Sequence, residues 1–261
     1  MEPDAPGRFG DVRRVAETGS TNTDLLAFAR SGAPEGVVLV ADHQTAGRGR
    51  LGRTWQAPPG SSLLVSVLLR PDLLLARTHL VTVAAGLAAA DAVKAVAGVR
   101  PGLKWPNDLV METGDGTRKL AGLLAEAVVE EGVASAVVVG MGMNVRWPEP
   151  LPDDLVAVAT TVARLAGRDV RVDDVLAAYL VALDRRYEDL LAEGGVAVTA
   201  EAHRAACTTI GRRVSVDLSD EALEGEAVDV DDGGHLVLAL DDGTRRTVAV
   251  GDVAHLRPAA T

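Results

Sequence analysis

The chain has very little lysine. Lys94, Lys104 and Lys119 stand against 23 arginines, so arginine serves wherever a generic positive charge suffices. A retained lysine then marks a place for a compact ammonium with rotatable donors, which a planar guanidinium cannot imitate. Lys94 falls on the polar face of the helical run Leu80–Val96, whereas Lys104 and Lys119 sit inside distinctive motifs. Cysteine is rarer still. Cys207 alone excludes an intrachain disulfide, fits a cytoplasmic setting and reads as a small buried hydrophobe. The five histidines are scattered, and no cluster has metal-ligand spacing, which excludes a structural zinc site. Positive charge is in deficit overall. A formal net charge of −11 over 261 residues argues against general nucleic-acid binding, which needs a basic footprint to displace counterions. Met1–Arg14 lacks the apolar core of a signal peptide, and no uninterrupted apolar run is long enough to span a bilayer. No Gly-Lys dipeptide occurs, which excludes a Walker A loop.

Hydrophobic residues make up 48% of the chain, enough for a large core in one large domain or one large plus one small. Val37–Ala41 and Ser62–Leu69 read as strands, and Leu80–Val96 as a buried helix. Leu103–Met111 reads as a short strand interrupted by Pro106. Leu120–Val129 and Ala134–Val139 read as a strand pair around Glu130-Glu131-Gly132. Asp173–Leu191 is an amphipathic helix with Asp173 or Asp174 as its N-cap, and a second helix covers Thr199–Cys207. From Gly211 the texture changes. Alternating Val214, Val216 and Leu218 lead into Ala227–Val230, His235–Leu240 and Arg245–Val250, separated by Asp-Asp-Gly turns. Residues 211–258 therefore read as a small SH3-like β-barrel. Five arginines against eleven acidic residues in that span make an RNA-binding barrel implausible. The implied organisation is an α/β domain over 1–208 and a barrel domain over 209–261.

Six features carry chemistry. Gly47-Arg48-Gly49-Arg50-Leu51-Gly52-Arg53-Thr54-Trp55 packs three guanidinium groups and three glycines into seven residues before an indole. Glycine frees the backbone to approach a ligand, and arginine matches carboxylate and phosphate geometry. The segment describes a mobile loop built to fold over an anion. Ser20-Thr21-Asn22-Thr23 offers more polar groups ahead of the helical run Asp24–Arg30 than capping requires. Gln44, between strand and loop, is both donor and acceptor. Lys104-Trp105-Pro106-Asn107-Asp108 is a turn composition flanked by an unusual lysine and tryptophan. Lys119 stands at the mouth of a buried strand in which Gly122 implies close approach of backbone or ligand. Gly140-Met141-Gly142-Met143-Asn144 ends the Ala134–Val139 strand. It is not a dinucleotide fingerprint, because no third glycine follows and Trp147-Pro148 blocks a helix.

These motifs, in this order, resemble biotin protein ligases. The resemblance covers Gly19 to Asn144 by motif and extends to Pro258 by architecture. It implies a central mixed-sheet α/β domain with a C-terminal SH3-like barrel. The activity it implies is ATP-dependent formation of biotinyl-5′-AMP, followed by transfer of biotin to a lysine of the biotin carboxyl carrier protein of an acetyl- or acyl-CoA carboxylase. ATP would arrive with Mg²⁺, whose protein ligands the sequence does not assign. By motif match, Ser20, Thr21, Asn22, Gln44, Gly49 and Gly122 face biotin. Arg48 and Arg50 close over biotin and phosphate, and Lys119 bridges carboxylate and phosphate as the main electrostatic catalyst. Arg50, Arg53, Trp55, Lys104, Asn107, Asp108 and Asn144 face the nucleotide. The 18 residues before Gly19 are too few for the winged-helix domain that some family members carry, so the resemblance is to the monofunctional type. A monomer or weak homodimer in the cytoplasm, without nucleic-acid or membrane partners, is expected.

Three other readings compete. A lipoate-protein ligase or octanoyltransferase shares the fold and a catalytic lysine, but the arginine–glycine loop ending in Trp55 favours biotin. A sensor that has lost turnover is disfavoured by the presence of Lys119 and an intact loop. A nucleic-acid loop would need stacking aromatics and a positive surround, and only Trp55 is at hand.

Overall fold

Near-continuous runs of buried residues in Ser62–Leu69 and Val133–Asn144 place two strands at the centre of a seven-stranded sheet. The structure, a computed structural model, describes residues 7–114, 116–148, 153–218, 221–249 and 251–255. Residues 1–6 of the stretch read for a leader, and 256–258 of the expected barrel, lie outside the described residues. The sheet is built from β1 (Val12–Thr18), β2 (Val38–Gln44), β3 (Ser62–Leu69), β4 (Gly102–Lys104), β5 (Asp108–Thr113), β6 (Gly116–Glu130) and β7 (Val133–Asn144), in the order β1-β2-β3-β7-β6-β5-β4. β1 runs parallel to β2, and the remaining neighbours are antiparallel. β1 was not anticipated: as an edge strand with charged residues facing out, it lacks the apolar alternation that marks a half-buried strand.

The helices are α1 (Thr21–Arg30), α2 (His79–Ala97), the short α3 (Asp153–Val156) and α4 (Val162–Ala166), α5 (Val172–Leu191) and α6 (Gly195–Ala206). α2, α5 and α6 cover one face of the sheet. Leu63, Val65 and Val67 of β3 and Val137, Val139 and Met141 of β7 point into that layer. α1 covers part of the other face with Leu25, Leu26 and Ala29 against Leu39, Leu68, Ala136 and Val138. Sandwiched between sheet and α5, α2 buries residues on most sides, which confines its polar face to a few residues such as Asp91 and the exposed Lys94. Although Arg77, Asp91 and Lys94 interrupt it, Leu75–Ala97 is long and apolar enough by length and composition to cross a membrane, but two-thirds of its most apolar window is buried inside this fold.

Several local readings change. Leu103–Met111 is a hairpin of two strands, β4 and β5, turning through Trp105-Pro106-Asn107. The strand read as ending at Val139 continues to Asn144. Arg171, not Asp173 or Asp174, caps α5; the two aspartates lie in its first turn, where the helix dipole favours negative charge.

The C-terminal domain is a five-stranded antiparallel sheet of β8 (Arg213–Asp217), β9 (Ala222–Val230), β10 (Leu236–Ala239), β11 (Arg245–Val248) and β12 (Asp252–His255), in the order β11-β10-β9-β8-β12. It has its own core around Val214, Val216, Ala227, Leu236 and Leu238. Trp105, from the β4–β5 turn of the larger domain, is 3% exposed and belongs to that core. Its indole donates to the Gly234 carbonyl at 2.9 Å, and its backbone N–H donates to the Thr209 hydroxyl at 3.0 Å. The unusual composition of Lys104–Asp108 is thus partly a pin between domains. Trp105→Ala should cost about 3–5 kcal/mol of stability, as large-to-small core changes do, visible as a lower thermal midpoint and early loss of the C-terminal domain.

Three histidines meet near this junction. His79 opens α2 with its Nδ1 3.1 Å from the Ala76 carbonyl, and Gly234 packs against its ring. His203 of α6 is 5% exposed. Burial, then the neighbouring His79 and Arg204 charges, push its pKa down to about 4. His235, near His79, is held at 3.2 Å by Asp231. A histidine buried neutral adds stability above its unfolded pKa, about 6.5, and that stability is lost as pH falls toward the depressed folded value. Stability should therefore drop between about pH 6.5 and pH 4 by about 3 kcal/mol at most. His203→Gln should flatten that part of a denaturant-midpoint-versus-pH profile.

Candidate active site

Strand alternation builds the site. On the sheet face that α1 covers, β7 presents Ala136 and Val138 under the helix, then Gly140, Gly142 and Asn144 beyond it. Register places Ser66 of β3 and Leu124 of β6 beside Gly140, and Leu64 and Gly122 beside Gly142. Where the helix ends its cover, the strands carry glycine, and a cavity of about 280 Å³ opens. The missing side chains are needed. A Cβ on Gly140 would stand 2.1 Å from Asn22 Oδ1, and one on Gly142 would stand 2.5 Å from Trp55 Cε2. Asn22 and Trp55 thus occupy the space that the glycines leave.

The N-terminus of α1 supplies the first wall. Ser20 sits at the cap position but makes no side-chain capping bond. The Thr21 N–H and hydroxyl both donate to Gln44 Oε1, at 2.8 and 3.0 Å. Ser66 Oγ lies 2.7 Å from both Thr21 Oγ1 and Asn22 Oδ1. Asn22 Nδ2 donates to the Leu124 carbonyl at 3.1 Å and to Glu126 Oε2 at 3.0 Å. Asn22 therefore spends its amide on the frame of the cavity. Gln44, with its oxygen engaged by Thr21, has its Nε2 donors left to turn toward a ligand.

The arginine loop forms the second wall. It is a narrow hairpin: Trp55 N–H donates to the Gly47 carbonyl at 3.0 Å, and Gly49 N–H to the Arg53 carbonyl at 2.7 Å. Its tip holds Leu51 at φ 54° and Gly52 at φ 73°, so a left-handed turn is forced on a non-glycine residue. A Cβ on Gly47 would lie 2.4 Å from the Trp55 carbonyl oxygen, which is why glycine stands there. Arg48 pairs with Glu126 at 3.0 Å, and Arg50 reaches Asn107 Oδ1 at 3.5 Å.

β5 and β6 form the third wall. Lys119 Nζ lies 2.7 Å from Asp108 Oδ1 and 5.5 Å from the centroid of the Trp55 ring. Gly122 lets the lysine fold back along its own strand, since a Cβ there would stand 3.2 Å from Nζ. Asn107 is fixed by donating to the Leu123 carbonyl at 2.6 Å. The cation is therefore held in place by a carboxylate and an indole face, over a floor stripped of side chains.

Of the residues singled out from the sequence, Ser20, Thr21, Asn22, Gln44, Arg48, Gly49, Arg50, Arg53, Trp55, Lys104, Asn107, Asp108, Lys119 and Gly122 all line this one cavity. Asn144 does not. It is 2% exposed, donates to the Thr160 carbonyl at 3.2 Å, and keeps its Oδ1 buried without a partner among the described residues. Sequence reasoning missed Ser66 and the cavity-facing roles of Gly140 and Gly142, although glycine at alternate positions of one strand was a readable signal. It also missed Asp217, Val253 and Ala254, by which the C-terminal domain closes the cavity. No local pattern could show that.

The site is thus a polar cavity under an arginine–glycine loop, with a fixed ammonium at its wall and a small second domain at its edge, suited to anionic groups. Comparison with known proteins agrees. Residues 15–144 match the Biotin/lipoate A/B protein ligase family, and residues 209–256 match the Biotin protein ligase C terminal domain. The biotin--[acetyl-CoA-carboxylase] ligase of Mycobacterium tuberculosis is 42% identical over 257 residues, covering 93% of this chain and 88% of that protein. The bifunctional ligase/repressor BirA of Bacillus subtilis is 32% identical over 228 residues, covering 87% of this chain and 69% of that protein. Among solved structures, the biotin protein ligase from Aquifex aeolicus in complex with biotin and ATP superposes with a TM-score of 0.77 at 25% identity, covering 96% of this chain and all of that one. The chain belongs to the biotin protein ligase family.

Proposed function

We propose that the chain joins biotin to ATP, giving biotinyl-5′-AMP and pyrophosphate, and then passes biotin to one lysine of a biotin carboxyl carrier protein of a carboxylase. The observation that carries this reading is Lys119, held by Asp108 beside Trp55 in a cavity lined by three loop arginines.

In the first step a carboxylate oxygen of biotin attacks the α-phosphorus of ATP. A new C(O)O–P bond forms, and the P–O bond to pyrophosphate breaks. Two anions must approach and negative charge builds on the phosphoryl oxygens. Fixed cations aimed at that charge lower the barrier, because they need no reorganisation as it develops. Lys119 supplies one such cation between carboxylate and phosphate, and Arg50 and Arg53 supply others along the nucleotide. Thr21 and Gln44 are pre-set by each other to meet the ureido group, which needs donors and acceptors in one plane. Trp55 offers a flat apolar wall to biotin or adenine. In the second step the neutral amine of the carrier lysine attacks the acyl carbon. The bond to the AMP oxygen breaks, and the amine sheds its proton. Between the steps the loop must exclude water, since an acyl-adenylate hydrolyses readily.

Mg²⁺ would enter with ATP and offset phosphate charge. Among the described residues no group of three His, Cys, Asp or Glu is arranged to hold a metal ion, so the phosphates would supply most of its shell. A cytoplasmic location and a monomer or weak homodimer belong to the same proposal.

The test is incubation of the pure protein with biotin, MgATP and a carrier domain, followed by mass spectrometry of the carrier. A gain of one biotinyl group is expected. Lipoyl transfer without biotinyl transfer in a parallel tube would overturn the proposal.

A further inference from the structure

One charged side chain beneath the loop has no part in the reaction just described. Glu126 lies on β6, on the sheet face that carries Gly122 and Leu124, and lines not the cavity of the site but an adjoining one of about 520 Å³. A carboxylate here opposes what the site needs, since it repels both biotin carboxylate and phosphate. It is tolerable only with a fixed counter-charge, and it has one. Arg48 Nη1 lies 3.0 Å from Oε1 and 3.1 Å from Oε2. Asn22 Nδ2 holds Oε2 from the other side at 3.0 Å. Three segments distant in sequence therefore meet at one carboxylate: the start of α1, the arginine loop and β6.

The backbone bonds at the base of the loop, Trp55 to Gly47 and Gly49 to Arg53, close the hairpin on itself and do not tie it to the sheet. The Arg48–Glu126 pair does tie it to β6, a strand paired on both sides, and Arg50 adds a longer contact to Asn107 Oδ1 at 3.5 Å. The Glu126 side chain is 24% exposed and that of Arg48 49%, so water and salt screen the pair in part and high ionic strength should loosen it.

We propose that Glu126 is a positioning residue, a latch that holds Arg48 and with it the loop over the cavity, and so sets how long the acyl-adenylate is retained. The retention half of this proposal rests on the ligase reading above; the latch itself does not. Glu126→Gln keeps an oxygen for Asn22 and removes only the charge, so it separates the latch from the frame of the cavity. The paired exchange Arg48→Glu with Glu126→Arg restores the attraction with its sign reversed.

Two readouts are needed. The first is trypsin cleavage after Arg50 and Arg53 in the absence of any ligand, where Glu126→Gln should be cut several-fold faster than wild type and the paired exchange should return toward wild type. Equal cleavage of Glu126→Gln and wild type would overturn the latch. The second is the ratio of free biotinyl-AMP to carrier-bound biotin during turnover, which should rise several-fold in Glu126→Gln. Faster cleavage with an unchanged ratio would overturn the retention role. If wild type forms no biotinyl-AMP, the ligase reading and the retention role fail together, while the cleavage result still decides the latch.

Discussion

Lys119→Ala should lower the rate of biotinyl-AMP formation by about 10²–10³-fold, the usual cost of removing one preorganised donor from an oxyanion-type site. The side chain is partly exposed and its partner Asp108 is near the surface, so folding should survive. Removing the ammonium also takes from Asp108 its Lys119 partner and leaves more negative charge facing two anionic substrates, which pushes the effect toward the upper end. Lys119→Arg should not rescue. The ammonium fits against Asp108 at 2.7 Å, above Gly122 and beneath Trp55, and a planar guanidinium is too wide for that space. The measurement is pyrophosphate release in a single turnover with saturating biotin and ATP, alongside a thermal melt. A variant with wild-type release would remove Lys119 from the chemistry.

Gly140→Val should abolish measurable biotin binding. Its Cβ would stand 2.1 Å from Asn22 Oδ1 and 2.8 Å from Cγ, so Asn22 must leave its place. With it go the bonds to Ser66, the Leu124 carbonyl and Glu126, and through Ser66 the setting of Thr21 against Gln44. The stability cost of such overpacking is about 1–3 kcal/mol, less than most domains hold in reserve. The protein should therefore fold and fail to bind. Gly142→Ala offers a finer version, because its Cβ would strike the Trp55 ring and leave the α1 frame intact. Calorimetric titration with biotin should show a much weaker, not an absent, signal for that variant. Wild-type affinity in Gly140→Val would show that the Asn22 frame does not shape the biotin site.

Much of this was legible in the chain. Ser62–Leu69 and Leu80–Val96 were placed almost to the residue, because a strand and a helix buried on both sides have few ways to hide. The arginine–glycine loop and Lys119 declared themselves by composition, since a chain that uses arginine almost everywhere keeps lysine at few places. Trp105 drew notice, but its main task was not readable. An unusual residue beside unusual neighbours looked chemical, and its side chain belongs to the core of the other domain. β1 was missed because an edge strand need not alternate. Asn144, placed with the nucleotide by its motif, lies in the continuing strand and donates to Thr160, outside the lining of the cavity.

The sequence by itself determined the kinds of groups present and their order: which strands alternate, where glycine interrupts them, where cations gather, and hence which family this is. These are local properties, fixed by side-chain periodicity and backbone freedom within a few residues. Only the tertiary structure decided which of those groups meet. That Asp108 holds Lys119, that Glu126 holds Arg48 and Asn22, and that Asp217 closes the cavity from the second domain all depend on strand register and domain docking. Those are set by the packing of cores far apart in the chain, to which the residues of the site contribute almost nothing.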